Sequence, residues 1–299
     1  MLVTENVSKA FGKFIAARDM NLTVKDGTIL GLIGSNGAGK STIIRMLCGV
    51  YKPNSGTILY DGQPVYDNVD VKRDIFYFPD ELYFSGTTIK DTCKFYKDFF
   101  PKFSEELFYE LCDSFNLKKN MPIIALSKGM KRQVMMNASI ASGVKYIFLD
   151  EAFDGLDAVA RQTYIRLLIE ISREKGTIVI MATHNIREID NFCDELCLLY
   201  KSNIIAHTTP EELVSKRSRA IVTFADGFDK DEFIKNNVSS YFNKDSKYTL
   251  TFECPRSEAE QIMKSAQTQS VEFIPMTLED SFVCELEASG YAIKNVEVV

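Results

Sequence analysis

The sequence lacks the features that would place the chain in a membrane or outside the cell. No apolar run approaches the roughly 18 residues that are needed to span a bilayer. The first five residues, Met1 to Glu5, have neither the basic nor the apolar region of a signal peptide. We therefore expect a cytoplasmic chain.

Positive charge and paired cysteines are also scarce. The chain has 35 Lys and Arg against 41 Asp and Glu, a formal net charge of −6, so no global electrostatic argument favours nucleic acid, although a local basic patch is not excluded. The seven cysteines form no C-x-x-C pair, which disfavours a disulfide framework or a zinc knuckle. With 45% hydrophobic and 25% charged residues, the 299-residue chain has the composition of a globular protein with one large or two smaller domains.

A glycine-rich loop that fits G-x-x-x-x-G-K-[ST] is the most informative stretch. The apolar run from Thr28 to Ile33 predicts a buried strand before it, and the run from Ile43 to Leu47 predicts a helix after it. In that setting, backbone N–H groups point at the β-phosphate of a nucleotide, Lys40 reaches the β and γ oxygens, and the Ser41 hydroxyl binds magnesium. The predicted phosphate-binding residues are Gly34, Ser35, Asn36, Gly37, Ala38, Gly39, Lys40, Ser41 and Thr42.

Two carboxylates follow a continuous apolar run from Tyr146 to Leu149, which predicts a buried parallel strand with acids at its carboxyl end. Downstream of a phosphate loop, Asp150 can hold magnesium, usually through water, and Glu151 can accept a proton from the water that attacks the γ-phosphate. Asp80 also ends a strand-like run. It is a candidate magnesium ligand or a helix cap, and the sequence leaves both open.

Only two histidines are present, and they stand in different contexts. His184 follows the apolar strand predicted from Gly176 to Ala182, where α/β sheets place chemistry, so we expect it to be functional. His207 follows an edge strand without a companion, and we expect it to be structural. Phe11, beside a turn glycine, is equally compatible with stacking on adenine and with hydrophobic packing.

The pattern of the remaining chain predicts further elements. Alternating residues before the loop indicate an antiparallel entry sheet, and a helical insertion is predicted from about 85 to 144. The insertion carries more aromatic residues than its own packing needs, which indicates a groove for a partner. Ser127 is placed as the N-cap of one of its helices; this is a possible anion site, although a plain cap is the simpler interpretation. Beyond Pro210 we expect a small α+β appendage.

Taken in order, GSNGAGKST, LSKGM, IFLDE, GLD and the histidine after a strand resemble the ATP-binding cassette (ABC) family, over about residues 1 to 208. The later segment Thr277 to Phe282 resembles, more weakly, the tail of separate ATPase subunits of ABC-2-like exporters. The resemblance implies an α/β P-loop NTPase (RecA-like) core with an antiparallel β subdomain and a helical subdomain, in a cassette spanning 1–208. The α+β accessory domain would then span 209–299.

The resemblance also implies roles for individual residues. Phe11 matches the aromatic residue that stacks on adenine, and Asp157 matches an acid at the dimer interface. Ser127 and Gly129 match the signature residues that contact the γ-phosphate of ATP on the opposite subunit, and His184 matches the residue that senses this phosphate. The cofactors implied are ATP and Mg²⁺. Two cassettes, in a homodimer or heterodimer, would enclose ATP head to tail.

The resemblance also implies membrane partners, and the sequence departs from the family pattern at three positions. The resemblance implies separate integral-membrane permease subunits that dock on the helical subdomain, at the cytoplasmic face of the membrane, and export of a peptide or hydrophobic compound. Asp80 replaces the usual Gln, and Lys128 and Met130 change the usual LSGGQ signature. A soluble ABC ATPase that acts on nucleic acid or ribosomes is the alternative; the single cassette, the absence of heptads and the acidic balance disfavour it. A vestigial site is disfavoured by the intact motifs.

Overall fold

The computed structural model describes residues 1–190 and 192–291. The chain divides into two compact units: Met1–His207, and a second unit that begins at Thr208. Within the described residues, no helix is both long and apolar enough to cross a membrane. All seven cysteines lie in this part of the chain and are free thiols, as expected.

The first unit contains both strands and helices. Its described strands are β1 (Leu2–Phe11), β2 (Phe14–Val24), β3 (Ile29–Gly34), β4 (Ser55–Tyr60), β5 (Gln63–Pro64), β6 (Ile75–Phe78), β7 (Tyr146–Asp150), β8 (Ile178–Thr183), β9 (Glu195–Tyr200) and β10 (Asn203–Thr208), whose last residue opens the second unit. Its described helices are α1 (Lys40–Leu47), α2 (Val69–Lys72), α3 (Ile89–Phe99), α4 (Glu105–Ser114), α5 (Lys128–Ala141) and α6 (Ala158–Lys175). Short 3₁₀ turns span Ile123–Ala125 and Ile186–Glu188.

A six-stranded sheet in the order β10-β9-β3-β8-β7-β6 forms the centre of the first unit. Strands β9, β3, β8, β7 and β6 pair in parallel. Every residue of β3, β7 and β8 is buried, since helices cover both faces of such a sheet, which explains their continuous apolar sequences. The buried strands predicted around the phosphate loop, the paired acids and His184 are thus confirmed.

The predicted antiparallel entry sheet is also confirmed. It has the order β2-β1-β4-β5, and β1 pairs antiparallel with both β2 and β4. Inward side chains of β2, such as Met20, Leu22 and Val24, alternate with exposed polar residues, so the sheet packs one face on the core. The chain therefore has the predicted α/β fold of a P-loop NTPase with an added antiparallel sheet.

Three capped helices form the predicted helical segment. Thr88 begins α3 with a capping box closed by Asp91, and Ser104 accepts a hydrogen bond from the Leu107 N–H at the start of α4. Ser127 does the same for α5, where its hydroxyl accepts from the Met130 N–H at 3.2 Å. Each cap satisfies a backbone donor that would otherwise lack an intrahelical partner.

The second unit is built on an antiparallel sheet. Its described elements are α7 (Pro210–Ser215), β11 (Ser218–Phe224), α8 (Lys230–Asn237), β12 (Ser240–Lys244), β13 (Lys247–Phe252), α9 (Arg256–Met263), β14 (Thr268–Ile274) and α10 (Leu278–Ala288). The sheet order β12-β13-β11-β14 and the βαββαβ connection give a ferredoxin-like arrangement. This is an α+β unit, as the sequence predicts, with its own core of side chains such as Leu250 and Phe252.

Candidate functional site

The carboxyl ends of β3, β8 and β7 meet at one edge of the central sheet and open into a pocket. Ile33 pairs with Thr183, and Asp150 pairs with Ala182, so the segments that follow these strands lie side by side. The pocket has a volume of 410 Å³ and is lined by Phe14, Asn36, Gly37, Gly39, Lys40, Ser41, Thr42, Asp80, Glu151, Asp154 and His184. Sequence-predicted residues from four separate segments therefore converge here.

The glycines of the loop allow a close backbone approach that no other residue permits. Gly39 has φ +105°, and a Cβ at this position would lie 2.2 Å from the Ala16 carbonyl oxygen. A Cβ on Gly34 would lie 2.7 Å from the Leu199 carbonyl oxygen. The loop is therefore pressed between β2 and β9, and this fixes the direction of its N–H groups where α1 begins.

Lys40 is held inside the loop that precedes it. Its Nζ donates to the Gly34 carbonyl at 2.7 Å and to the Ser35 carbonyl at 3.4 Å, and it lies 3.9 Å from Oε1 of Glu151. Burial lowers the pKa of Lys40, while the charges of Glu151 and Asp150 oppose this change. The ammonium is oriented by carbonyls, in position to meet an anion that enters the loop.

Asp150 and Ser41 form a site that fits a magnesium ion. The Ser41 hydroxyl donates to Oδ1 of Asp150 at 3.1 Å, whereas the buried Oδ2 has no hydrogen-bond partner among the described residues. Burial raises the pKa of Asp150. No cluster of three or more His, Cys, Asp or Glu that could hold a metal occurs in residues 1–190 and 192–291. An orphaned carboxylate oxygen beside a hydroxyl suits a cation that takes only one or two protein ligands and completes its shell with phosphate and water.

Glu151 and His184 face each other across the mouth of the pocket. Nδ1 of His184 lies 3.0 Å from Oε2 of Glu151, and this hydrogen bond is the main cause that raises the pKa of His184. Glu151 is half-buried and His184 is exposed. The other histidine, His207, pairs with Glu195 at 2.7 Å, outside the pocket.

Eight of the predicted residues are absent from the lining of this pocket. Four of them belong to the loop and the strand end that border it: Gly34, Ser35, Ala38 and Asp150. The other four are Phe11, Ser127, Gly129 and Asp157. Ser127 and Gly129 lie at the start of α5, where Ser127 is exposed, and Asp157 caps α6 by accepting from the Ala160 N–H at 2.8 Å. Phe11 contacts Tyr51, with ring centroids 5.4 Å apart. None of these four residues lines the pocket, although Nζ of Lys128, the residue between Ser127 and Gly129, lies 3.8 Å from Oδ2 of Asp154, which does.

Phe14 and Asp154 line the pocket, although the sequence did not single them out. Phe14 pairs with Phe11 across the hairpin turn between β1 and β2 and is 59% exposed, so an aromatic on each side of the turn was the available signal. Asp80 lines the pocket as well, but its Oδ1 accepts from Nη2 of Arg132 at 2.9 Å. Arg132 is a further residue that the sequence analysis missed.

Known proteins share both the sequence and the fold of this chain. The sequence profile of the ABC transporter family matches residues 17–154. The lipopolysaccharide export system ATP-binding protein LptB of Haemophilus influenzae is 30% identical over 227 residues, which cover 72% of this chain and 93% of that protein. The chain belongs to the ATP-binding proteins of ABC transporters. It is thus an ABC-type, nucleotide-binding ATPase subunit.

One further relative extends the comparison beyond the cassette, and two solved structures share the fold of the cassette. The ABC transporter ATP-binding protein YtrB of Bacillus subtilis is 26% identical over 289 residues, which cover 95% of this chain and 98% of that protein. A solved ATP-binding subunit of an ABC transporter superposes with a TM-score of 0.65 at 26% identity, over 71% of this chain and 91% of that one. The bacterial cassette MJ0796, solved as a dimer, has the same fold, with a TM-score of 0.63 at 20% identity over 70% of this chain and 98% of that one.

Separate substitutions of Gly39 and Gly37 test the packing of the phosphate loop. Gly39→Ala adds a methyl group against the Ala16 carbonyl, so we expect the free energy of unfolding to fall by about 3 kcal/mol and nucleotide affinity to be lost. Gly37→Ala is the matched control, because Gly37 also has positive φ but no atom lies within 4 Å of its added Cβ. The Gly37→Ala variant is expected to lose only about 1 kcal/mol of its free energy of unfolding. Thermal unfolding and nucleotide titration measure both; equal unfolding midpoints for the two variants would contradict the packing described here.

Proposed function

We propose that this chain hydrolyses ATP in a head-to-tail dimer and so drives transport through separate integral-membrane permease subunits. The observation that carries the proposal is that the signature residues do not line the pocket that contains the other motifs. The phosphate loop, Glu151 and His184 share one pocket, whereas Ser127 and Gly129 lie outside it. A second cassette, identical or related, would bring its own signature residues to this pocket.

Each residue of the pocket has a proposed part in hydrolysis. The loop N–H groups and the Lys40 ammonium bind the phosphates of ATP, and Phe11 or Phe14 stacks on the base. Glu151 accepts the proton of the attacking water, and His184, which is hydrogen-bonded to Glu151, contacts the γ-phosphate and orients that carboxylate. Ser41 and Asp150 would hold Mg²⁺, and Asp80, which lines the same pocket, is a further candidate ligand. A bound Mg²⁺ supplies neutralisation of the phosphate charge.

Replacement of the proposed base gives a direct test of the reaction. Glu151→Gln keeps the size of the side chain but removes the proton acceptor, so we expect ATP turnover to fall at least about 100-fold. ATP affinity should stay within about threefold of the wild type, and a dimer should accumulate with ATP because the step that reopens it is blocked. Phosphate release and size-exclusion chromatography measure these effects.

A matched substitution makes that result specific. Glu174→Gln makes the same chemical change at an exposed position near the end of α6 and is expected to leave turnover unchanged. If Glu151→Gln hydrolyses ATP at the wild-type rate, the assignment of the base is wrong.

An aromatic groove on the helical segment is the proposed docking site for a permease subunit. The groove has a volume of 290 Å³ and lies between α3 and β6. Phe95 and Phe99 are 42% and 52% exposed and stack with ring centroids 6.3 Å apart. Exposed aromatic side chains that rim a groove are typical of protein interfaces. Because the chain belongs to the ATP-binding proteins of ABC transporters, a membrane subunit is the partner that we propose for this groove. We expect one of its cytoplasmic helices to occupy this groove, with the chain peripheral on the cytoplasmic face.

Removing the two exposed rings tests the docking site. Phe95→Ser/Phe99→Ser should abolish co-purification of the chain with solubilised membranes of its own cells, while ATP affinity in solution stays unchanged. Tyr241→Ser/Phe242→Ser, a double change of aromatics in β12 that are 58% and 65% exposed, is the control and should co-purify as the wild type does. Membrane binding that survives the first double substitution would place the docking surface elsewhere.

For the transported compound, we propose export of a peptide or hydrophobic substance. Two observations support this. The segment from Thr277 to Phe282 begins α10 and resembles the tail of exporter ATPases. One relative is named as a lipopolysaccharide export protein, and another, YbhF of Escherichia coli, as a probable multidrug transporter protein, 29% identical over 220 residues.

A further inference from the structure

The backbone of Glu151, the proposed base, has an uncommon conformation. Glu151, directly after β7, has φ +49°, in the left-handed region that is unfavourable for residues other than glycine. Such a conformation persists only where surrounding contacts hold it in place. The contacts that hold Glu151 are therefore part of the machinery that aims its carboxylate.

Hydrogen bonds fix the main chain of Glu151 on both sides. Its N–H donates to the Ala182 carbonyl at 2.9 Å, and its carbonyl accepts from the Asp154 N–H at 3.3 Å. The same carbonyl accepts a short hydrogen bond, 2.5 Å, from Nη1 of Arg132. Of these donors, only Arg132 is charged, and hydrogen bonds to charged groups are about twice as strong as those between neutral ones.

Arg132 joins two loops of the pocket to the signature helix. It lies in α5, five residues after Ser127, and is 1% exposed. Nη2 donates to Oδ1 of Asp80 at 2.9 Å and to its carbonyl at 3.3 Å. The planar guanidinium, which packs beside Phe78, thereby holds the ends of β6 and β7 at the same time.

We propose that Arg132 is a positioning residue for hydrolysis, which holds the left-handed backbone of Glu151 and thereby directs its carboxylate into the pocket. The proposal rests on the proposed role of Glu151 as the base. Because Arg132 belongs to the helix that begins with the signature residues, a displacement of that helix moves the donor that fixes Glu151. Asp80, at the place of the usual Gln, supplies the countercharge that keeps the buried guanidinium in position.

Two substitutions of Arg132 separate positioning from binding. Arg132→Met removes both donors, so kcat for ATP hydrolysis should fall between about 10- and 100-fold, while KM changes less than about threefold. Arg132→Lys keeps the charge, but one ammonium cannot replace the two guanidinium nitrogens that donate to the Glu151 carbonyl and to Asp80. This variant should retain part of the activity, with kcat about threefold or more below the wild type. Arg166→Met, the same change at an exposed site on α6, is the matched control and should behave as the wild type.

A double-mutant cycle distinguishes positioning from a general structural role. In the Glu151→Gln background, Arg132→Met should cause no further loss of the residual single-turnover hydrolysis, because its effect passes through the Glu151 carboxylate. Thermal unfolding and ATP titration report folding, and Arg132→Lys carries the test if the Met variant does not fold. Wild-type kcat in Arg132→Lys, or an additive loss in the double variant, would overturn this inference and leave the ATPase assignment intact. Absence of hydrolysis in the wild-type chain would instead overturn the proposed function.

Discussion

Parallel pairing of β3, β8 and β7 is the constraint on which the pocket depends. Their register brings the phosphate loop, the paired acids and His184 to one edge of the sheet, although these segments are far apart in sequence. The sheet is buried on both faces, so these positions are fixed by the core rather than by the loops themselves. Close packing of Gly34 and Gly39 against neighbouring main chain then sets the direction of the loop N–H groups.

A second set of contacts connects the pocket with the helical segment. Arg132 reaches from α5 to the main chain of Glu151 and to Asp80, so the helix that carries the signature residues also touches the candidate base. The exposed aromatic pair of α3 lies in the same segment. In the proposed subunit, the signature end of this segment would contact ATP, and its aromatic groove would contact the membrane partner. The buried Arg132 of the same segment contacts the main chain of Glu151.

Much of the fold and part of the site follow from local sequence. Continuous apolar runs identify buried parallel strands, and the glycine spacing with Lys40 identifies the phosphate loop, because each pattern reflects one local backbone requirement. The roles of Arg132 and Phe14 were not predicted, since their positions in the site depend on tertiary packing. In the sequence alone, a buried arginine in a helix cannot be distinguished from one that is exposed to solvent. Asp80 was recognised as a strand-end acid, but its pairing with Arg132 spans 52 positions and has no local signal.

Complementation between two inactive chains most directly tests whether each ATP site is shared between the phosphate loop of one chain and the signature residues of the other. Lys40→Met disables the phosphate loop, and Ser127→Arg disables the signature, so neither variant alone should hydrolyse ATP. A mixed dimer has one intact site, made from the loop of the Ser127→Arg chain and the signature of the Lys40→Met chain. Mixing equal amounts should therefore restore about a quarter of the wild-type rate, since half of the dimers are mixed and each has one of two sites intact. Wild-type turnover by Ser127→Arg alone, or no recovery on mixing, would contradict the account.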